Sequence, residues 1–304
     1  MSPISQARVN ITDDFSLSGF MSTGITKSNN AAALYVNREI TDETCYDCDT
    51  AFGLQAELAL LSALDASVQI VKRPQDDWSS PEIEWAYLSY QYENINLKVG
   101  RLRLPLFLSS EYFYVGQAYL PARLPQAIYD SVLGITSYEG LSVAFDYEIN
   151  DELYLTVTPF LGLDTDAKAS LPPSEYKFDT KESSGINSEL SGFNYKLMFN
   201  YHHLKYKTTL TTPLYQTVVP FDNLNMFTFA GEYDFENWSV QSELLISEMH
   251  VNWYSMLSRN LGDFTPYISY AEAHHSQKST AILTGLRYDI TPYLSANLEW
   301  QHER

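Results

Sequence analysis

Between Gly192 and Tyr201 the chain changes character at every second position: Phe193, Tyr195, Leu197, Phe199 and Tyr201 alternate with Asn194, Lys196 and Asn200. Successive side chains on a β-strand point to opposite faces, so this segment has one aromatic face and one wet face. The same two-residue period places Leu141, Val143, Phe145 and Tyr147 against Ser142, Asp146 and Glu148, and Leu294, Ala296, Leu298 and Trp300 against Ser295, Asn297, Glu299 and Gln301. It sets Phe52, Leu54, Ala56, Leu58 and Leu60 away from Gln55 and Glu57, and Val240, Leu244 and Ile246 away from Gln241 and Glu243. A chain patterned this way is all-β. Alternation does not by itself separate a two-sheet sandwich, whose greasy faces meet in a dry core, from a closed barrel, whose greasy face looks outward.

The connections separate them. The pattern predicts strands over roughly 16–27, 50–61, 66–73, 83–93, 97–104, 137–149, 153–161, 190–201, 204–214, 225–236, 238–248, 251–259, 264–274, 279–290 and 293–302. One set of gaps is tight: Ser62–Asp65, Glu93–Asn96, Asn150–Glu152, His202–His203, Glu236–Asn237, Asn260–Asp263 and Thr291–Pro292. The intervening set is mostly long and polar: 28–49, 74–82, 105–136, 162–189, 215–224 and 275–278, with a short member near Met249. A meander with short turns at one end and long loops at the other is the pattern of an outer-membrane β-barrel. Tyr and Trp recur near strand ends, as at Trp85, Tyr147, Tyr201, Trp238, Trp253, Tyr288 and Trp300, where amphipathic rings suit a lipid–water boundary or, alternatively, a core or cross-strand pair.

Charge narrows the partners. With 19 Lys+Arg against 38 Asp+Glu, the net charge of −19 argues against a nucleic-acid ligand, because phosphate binding needs a basic surplus. The longest apolar stretch, Leu54 to Val71, is interrupted by Glu57 and Asp65, so no transmembrane helix is predicted. Met1 to Arg8 lacks a basic region followed by an apolar run, so no signal peptide is predicted there. Fifteen strands are visible where bacterial barrels are even-numbered, so sixteen are expected, with a final strand missing or one strand miscounted.

The block from Trp85 to Tyr90 (Trp-Ala-Tyr-Leu-Ser-Tyr), then Val99-Gly-Arg-Leu-Arg-Leu-Pro-Leu-Phe-Leu and Leu120-Pro-Ala-Arg-Leu-Pro, resembles the fifth strand and third-loop entry of Gram-negative porins. It is most similar to the phosphate-selective porins and their gammaproteobacterial relatives. Phe264-Thr-Pro-Tyr-Ile-Ser-Tyr and Leu286-Arg-Tyr-Asp-Ile-Thr-Pro-Tyr-Leu resemble late strands of that group. The chain departs from the family in lacking a terminal strand ending in Phe. The resemblance implies a sixteen-stranded transmembrane antiparallel up-and-down β-barrel in the outer membrane, among membrane lipid and lipopolysaccharide, assembled as a homotrimer, with the third external loop folded inward.

Residues 1–304 are thus read as one barrel domain, with 105–136 as the constriction loop. That segment is long and rich in Phe107, Tyr112, Phe113, Tyr114, Tyr119, Leu120, Leu124 and Tyr129, so it is expected to fold against the inner wall rather than remain disordered. Arg101 and Arg103 share one face of their strand opposite Leu102 and Leu104, and point into the lumen if those leucines face lipid. Arg123 lies on the loop near Glu111 and Asp130. Arginine facing carboxylate across a constriction sets up a transverse field that sorts solutes; alternatively, the pairs only hold the loop in place. Further lumen candidates are Lys196, Lys205 and Lys207 on one side and Glu57, Asp146, Glu148, Glu232, Glu243 and Glu299 on another, an acidic excess that leans toward cations.

Other constellations carry less. Cys45 and Cys48 are spaced for a small disulfide in an oxidising external loop, since Asp49, not His, follows and no further zinc ligands accompany them. His202-His203 and His274-His275 are adjacent pairs whose members point to opposite faces, so they are expected at turns and strand ends rather than on a metal. Asp164 and Asp166 lack the Gly and closing Glu of a calcium loop. No phosphate-cradling glycine loop, His-Glu-x-x-His or Gly-x-Ser-x-Gly occurs, so no enzyme, metal or cofactor is expected, although Ser, His and Asp gathered from separate strands would escape such a reading. The expected function is passive diffusion of small hydrophilic solutes or ions. Its rivals are a barrel serving as a receptor for phage or a partner protein, and a soluble all-β binding protein.

Overall fold

The computed structural model describes residues 8–32, 38, 40–74, 80–131, 136–171, 174–274 and 278–304. The readings on residues 1–7 and on His275, and the remaining pieces of the long connections, lie outside the described residues.

The described strands are β1 (Val9–Asn10), β2 (Phe15–Ser22), β3 (Ala51–Leu61), β4 (Leu64–Lys72), β5 (Glu82–Tyr92), β6 (Ile95–Arg103), β7 (Ser137–Asn150), β8 (Leu153–Gly162), β9 (Thr165–Leu171), β10 (Ser174–Ser191), β11 (Tyr195–Thr211), β12 (Gln216–Phe235), β13 (Trp238–Ser247), β14 (Val251–Arg259), β15 (Phe264–His274), β16 (Lys278–Thr291) and β17 (Leu294–Glu303). Apart from the two-residue β1, sixteen strands form one antiparallel up-and-down sheet. β8 and β9 lie end to end against β10, pairing with Ser183–Ser191 and Ser174–Thr180 respectively. The sheet is unclosed: among the described residues no strand register joins β17 to β2, whose free side carries β1.

The alternation sorts the two faces in the sense opposite to a soluble sandwich. Leu54 (66 % exposed), Leu197 (50 %) and Leu298 (76 %) stand on the outer surface, whereas Asn200, Thr228 and Asn252, on the other face, are fully buried. Apolar residues outside and polar residues inside is the distribution that a hydrocarbon surround selects. Tyr147, Tyr288 and Trp300 are exposed among the outward residues. Trp85 instead turns inward, buried, with its indole N–H donating to Ser67 Oγ at 3.1 Å.

Two stretches differ from the sequence reading. The expected turn at His202-His203 lies inside the continuous β11, and the turn falls at residues 192–194. The expected loop 162–189 is mostly strand, as is 215–224. β10 hides its pattern because its outward positions carry Lys177, Asp179, Glu182, Ser184 and Ser188, with apolar groups there only at Ile186 and Leu190.

The chain leaves β6 by turning inward. Gly100 sits at φ +134°, and a Cβ there would meet the Ala86 carbonyl oxygen at 2.3 Å, so this close strand approach needs glycine. Beyond it, Leu102 and Leu104 are buried, and the segment after Arg103 runs inside the sheet through short helical turns at Ser110–Tyr112, Gly116–Ala118 and Gln126–Tyr129. Leu106, Phe107, Ile128 and Tyr129 pack there with Tyr138 and Phe160 of β7 and β8 and with Leu245, Tyr254 and Leu283 of β13, β14 and β16.

Ile268, near the middle of β15 and 49 % exposed, tests the outward face. Ile268→Arg is expected to lower the unfolding free energy in lipid vesicles by about 2–4 kcal/mol, whereas Asp146→Asn on the inner face changes it by less than about 0.5 kcal/mol. Equilibrium guanidinium titration reads both.

Candidate functional site: the inward segment and its wall

The root of the inward segment is fixed by charge. Glu84, unpaired in a bulge at the start of β5, is fully buried. Its carboxylate accepts from Arg73 Nη2 (3.1 Å) and Thr136 Oγ1 (2.7 Å), and also pairs with Arg103. Arg103 also donates Nε–H to the Ser110 carbonyl (3.0 Å) and lies over the rings of Phe113 (5.6 Å) and Tyr114 (5.4 Å). Two guanidiniums on one buried carboxylate give each charge a partner that the interior otherwise withholds. Burial pushes the Tyr114 hydroxyl up to about 12, with the Arg73 charge pulling it back, so the phenol stays neutral at physiological pH.

On the far wall, Glu243 of β13 is the second anchor, 1 % exposed. It accepts from the Leu108 backbone N–H (2.9 Å) and from the hydroxyls of Tyr129 and Tyr254 (2.7 Å each). Burial and the neighbouring Glu243 charge hold the Tyr129 hydroxyl well above its ordinary value, so it remains a donor. Glu299 of β17 accepts from the Ala122 N–H (2.7 Å) and the Tyr267 hydroxyl (2.6 Å).

Amide and guanidinium donors on the wall satisfy the carbonyls of the inward segment. Asn187 and Asn200 both donate to Pro105 (3.2 and 2.7 Å), Asn252 to Ala127 (2.7 Å), Asn297 to Leu120 (2.8 Å), and Arg287 to Tyr119 (2.8 Å). A non-helical backbone enclosed by protein needs such partners for each polar group. The turn Gly116–Ala118 lies against β2, so the segment touches both edges of the unclosed sheet.

Placement of the expected residues departs from the sequence reading in three respects. Leu102 and Leu104 do not face lipid but join the inner core, so Arg101 and Arg103 are not a matched lumen pair. Arg101 lies with Glu139 (3.7 Å), on the same side of the ladder as the exposed Val99 and Leu141, while Arg103 bends inward to Glu84. Arg123 pairs with Asp49 of the first connection (2.9 and 3.1 Å), which Arg38 also approaches (3.4 Å), a partner that the sequence reading did not name. Glu111 is exposed in its turn, and Asp130 follows the last helical turn. Lys205 and Lys207 have the parity of the outward Tyr201 and not of the inward Lys196, pairing with Glu182 (3.3 Å) and Asp179 (3.1 Å). Without a turn at residues 202–203, the parity runs straight through.

The remaining candidates point inward by strand parity: Glu57, Asp146, Glu148, Lys196, Glu232, Glu243 and Glu299. Glu57 meets Arg8 (3.1 Å), Asp146 accepts from Thr156 (2.6 Å), and Lys196 pairs with Glu189 (2.7 Å). His202 is a buried mid-strand residue with Nε2 at 2.9 Å from Ser183 Oγ, not a turn histidine. Cys45 and Cys48 are joined as a disulfide. The sequence reading missed Glu84, Arg73, Asp49 and the inward asparagines, since their roles come from partners far away along the chain.

No protein-family model and no curated protein matches the chain. Solved structures do. OmpF of Salmonella typhi, in complex with daunomycin, is 10 % identical with a TM-score of 0.64, over 98 % of this chain and all of that one (100 %). The anion-selective porin of Comamonas acidovorans is 12 % identical with a TM-score of 0.62, over 95 % and 89 %. The outer-membrane channel DcaP of Acinetobacter baumannii is 10 % identical with a TM-score of 0.55, over 95 % and 88 %. With an apolar outer belt, a polar inner wall and a segment folded inside, the chain has the fold of the Gram-negative outer-membrane porins.

Proposed function

We propose that the protein is an outer-membrane channel through which small hydrophilic solutes and ions diffuse passively. The observation that carries this reading is the inversion of the two faces: apolar side chains surround the sheet while carboxylates, amides and hydroxyls line its inside. Porins and a channel among the structural neighbours support it. The segment from 105 to 136, of which 132–135 lie outside the described residues, is the constriction. Its field comes from Arg103 with Glu84 and from Arg123 with Asp49. OmpT of Vibrio cholerae has been solved in a trimer form, which supports a homotrimer here.

The inward carboxylates Glu57, Asp146, Glu148 and Glu232 sit toward the short-turn ends of β3, β7 and β12. A ring of carboxylates at a mouth raises the local cation concentration, so the channel prefers cations. A second reading, a barrel acting chiefly as a receptor scaffold, is favoured by the many bonds that tie the inward segment across the lumen.

Planar-bilayer recording separates the two readings: stepwise conductance supports the channel, and a folded but silent barrel supports the scaffold. Under a potassium chloride gradient the reversal potential is expected to show cation preference, and Asp146→Asn with Glu148→Gln to move it toward zero. Glu243→Ala removes the acceptor of three hydrogen bonds; single-channel conductance is expected to rise, with a stability loss of about 1–3 kcal/mol in denaturant titration.

A further inference from the structure

The inner wall is not polar throughout. At the long-loop end, between the inward segment and the strands from β10 to β17, lies a cavity of about 610 Å³. From the wall, Leu204, Met226, Ala271 and Leu283 face it; from the inward segment, Leu104 and Leu124 do. The outer neighbours of these positions are apolar too, such as Phe227, Tyr270 and Ile282, so the strands are greasy on both faces at this level. A hydrophilic channel has no need of that arrangement. Volume and lining match those of small-molecule sites, which are mostly apolar with a few placed polar groups.

Two features define what fits. Tyr176, Phe178 and Tyr206 form an aromatic side to the cavity, the first two rings nearly parallel at 10° with centroids 6.4 Å apart. Stacking on such faces favours a flat ring. His202 also lines the cavity and is fully buried, its Nε2 meeting Ser183. Polar side chains on the lining, among them Thr208, Ser269 and Gln301, offer a ligand hydroxyl or carbonyl a partner. Of the charged groups on the lining, Arg123 is engaged by Asp49 and Glu303 by Gln301, and Asp130 is not without a partner either. We infer that the long-loop mouth holds a binding site for a small, uncharged, ring-bearing molecule that is mainly apolar and carries one hydrogen-bonding group. This goes beyond passive diffusion of hydrophilic solutes, and it stands whether or not the barrel conducts.

The test is calorimetric titration of 2-naphthol into the full chain folded in lipid nanodiscs, with empty nanodiscs as baseline and glucose as the polar control. Saturable one-to-one binding of 2-naphthol and none of glucose is expected. Ala281→Trp, which fills the cavity from the inner face of β16, is expected to weaken binding by at least about tenfold. Heat-dependent gel mobility checks that the variant is folded, and Ala273→Leu on β15 replaces it if it is not. No saturable signal above the empty-nanodisc baseline, or equal affinity in the wild type and the folded cavity-filled variant, overturns the site.

Discussion

A chain surrounded by hydrocarbon has no water with which to pair its peptide groups, so every N–H and C=O at membrane depth needs a protein partner. An antiparallel ladder supplies one on both sides of each interior strand, and the registers from β2 through β17 do so with few interruptions up to the unclosed edge. The side chains then sort by solvent. Alternate residues face lipid and become apolar, which leaves the other set to build whatever lies inside.

What lies inside is a second packing problem. An irregular segment carries its own unpaired backbone groups, and enclosing it moves the demand for partners onto the wall. The inward asparagines and Arg287 meet that demand by donating to carbonyls, while Glu243 and Glu299 accept from backbone N–H groups. Between these polar fastenings the aromatic and aliphatic residues of the segment form an apolar core with the wall. Many polar residues on the inner face therefore serve the backbone of a neighbour rather than water.

Legibility in the sequence followed the strength of the period. The lipid-facing positions of β3, β7 and β17 are plain because apolar side chains recur there at every second residue. β10 was missed because its stretch Ser183-Ser184-Gly185-Ile186-Asn187-Ser188 has little contrast between its faces. Placing a turn at His202-His203 followed from that miss, and it inverted the assignment of Lys205 and Lys207. The partner of Arg123 was invisible for a different reason: Asp49 stands 74 residues earlier, and spacing along a chain says nothing of which loop tips meet. The leucines beside Arg101 were misread because a strand leaving the membrane to turn inward exchanges lipid for protein on the same type of side chain.

The anchoring bonds of the inward segment join Leu108 to Glu243 and Ala122 to Glu299, across separations of 135 and 177 residues. Closing loops of such length adds only about 0.6 kcal/mol per doubling, so the requirement is the presence of the receiving strands rather than the span itself. Neither anchor exists without β13 and β17, so the strap depends for its seating on strands that follow it in the chain. A strap left unseated uncovers its apolar side chains, and a molecule in that condition is open to capture by other chains.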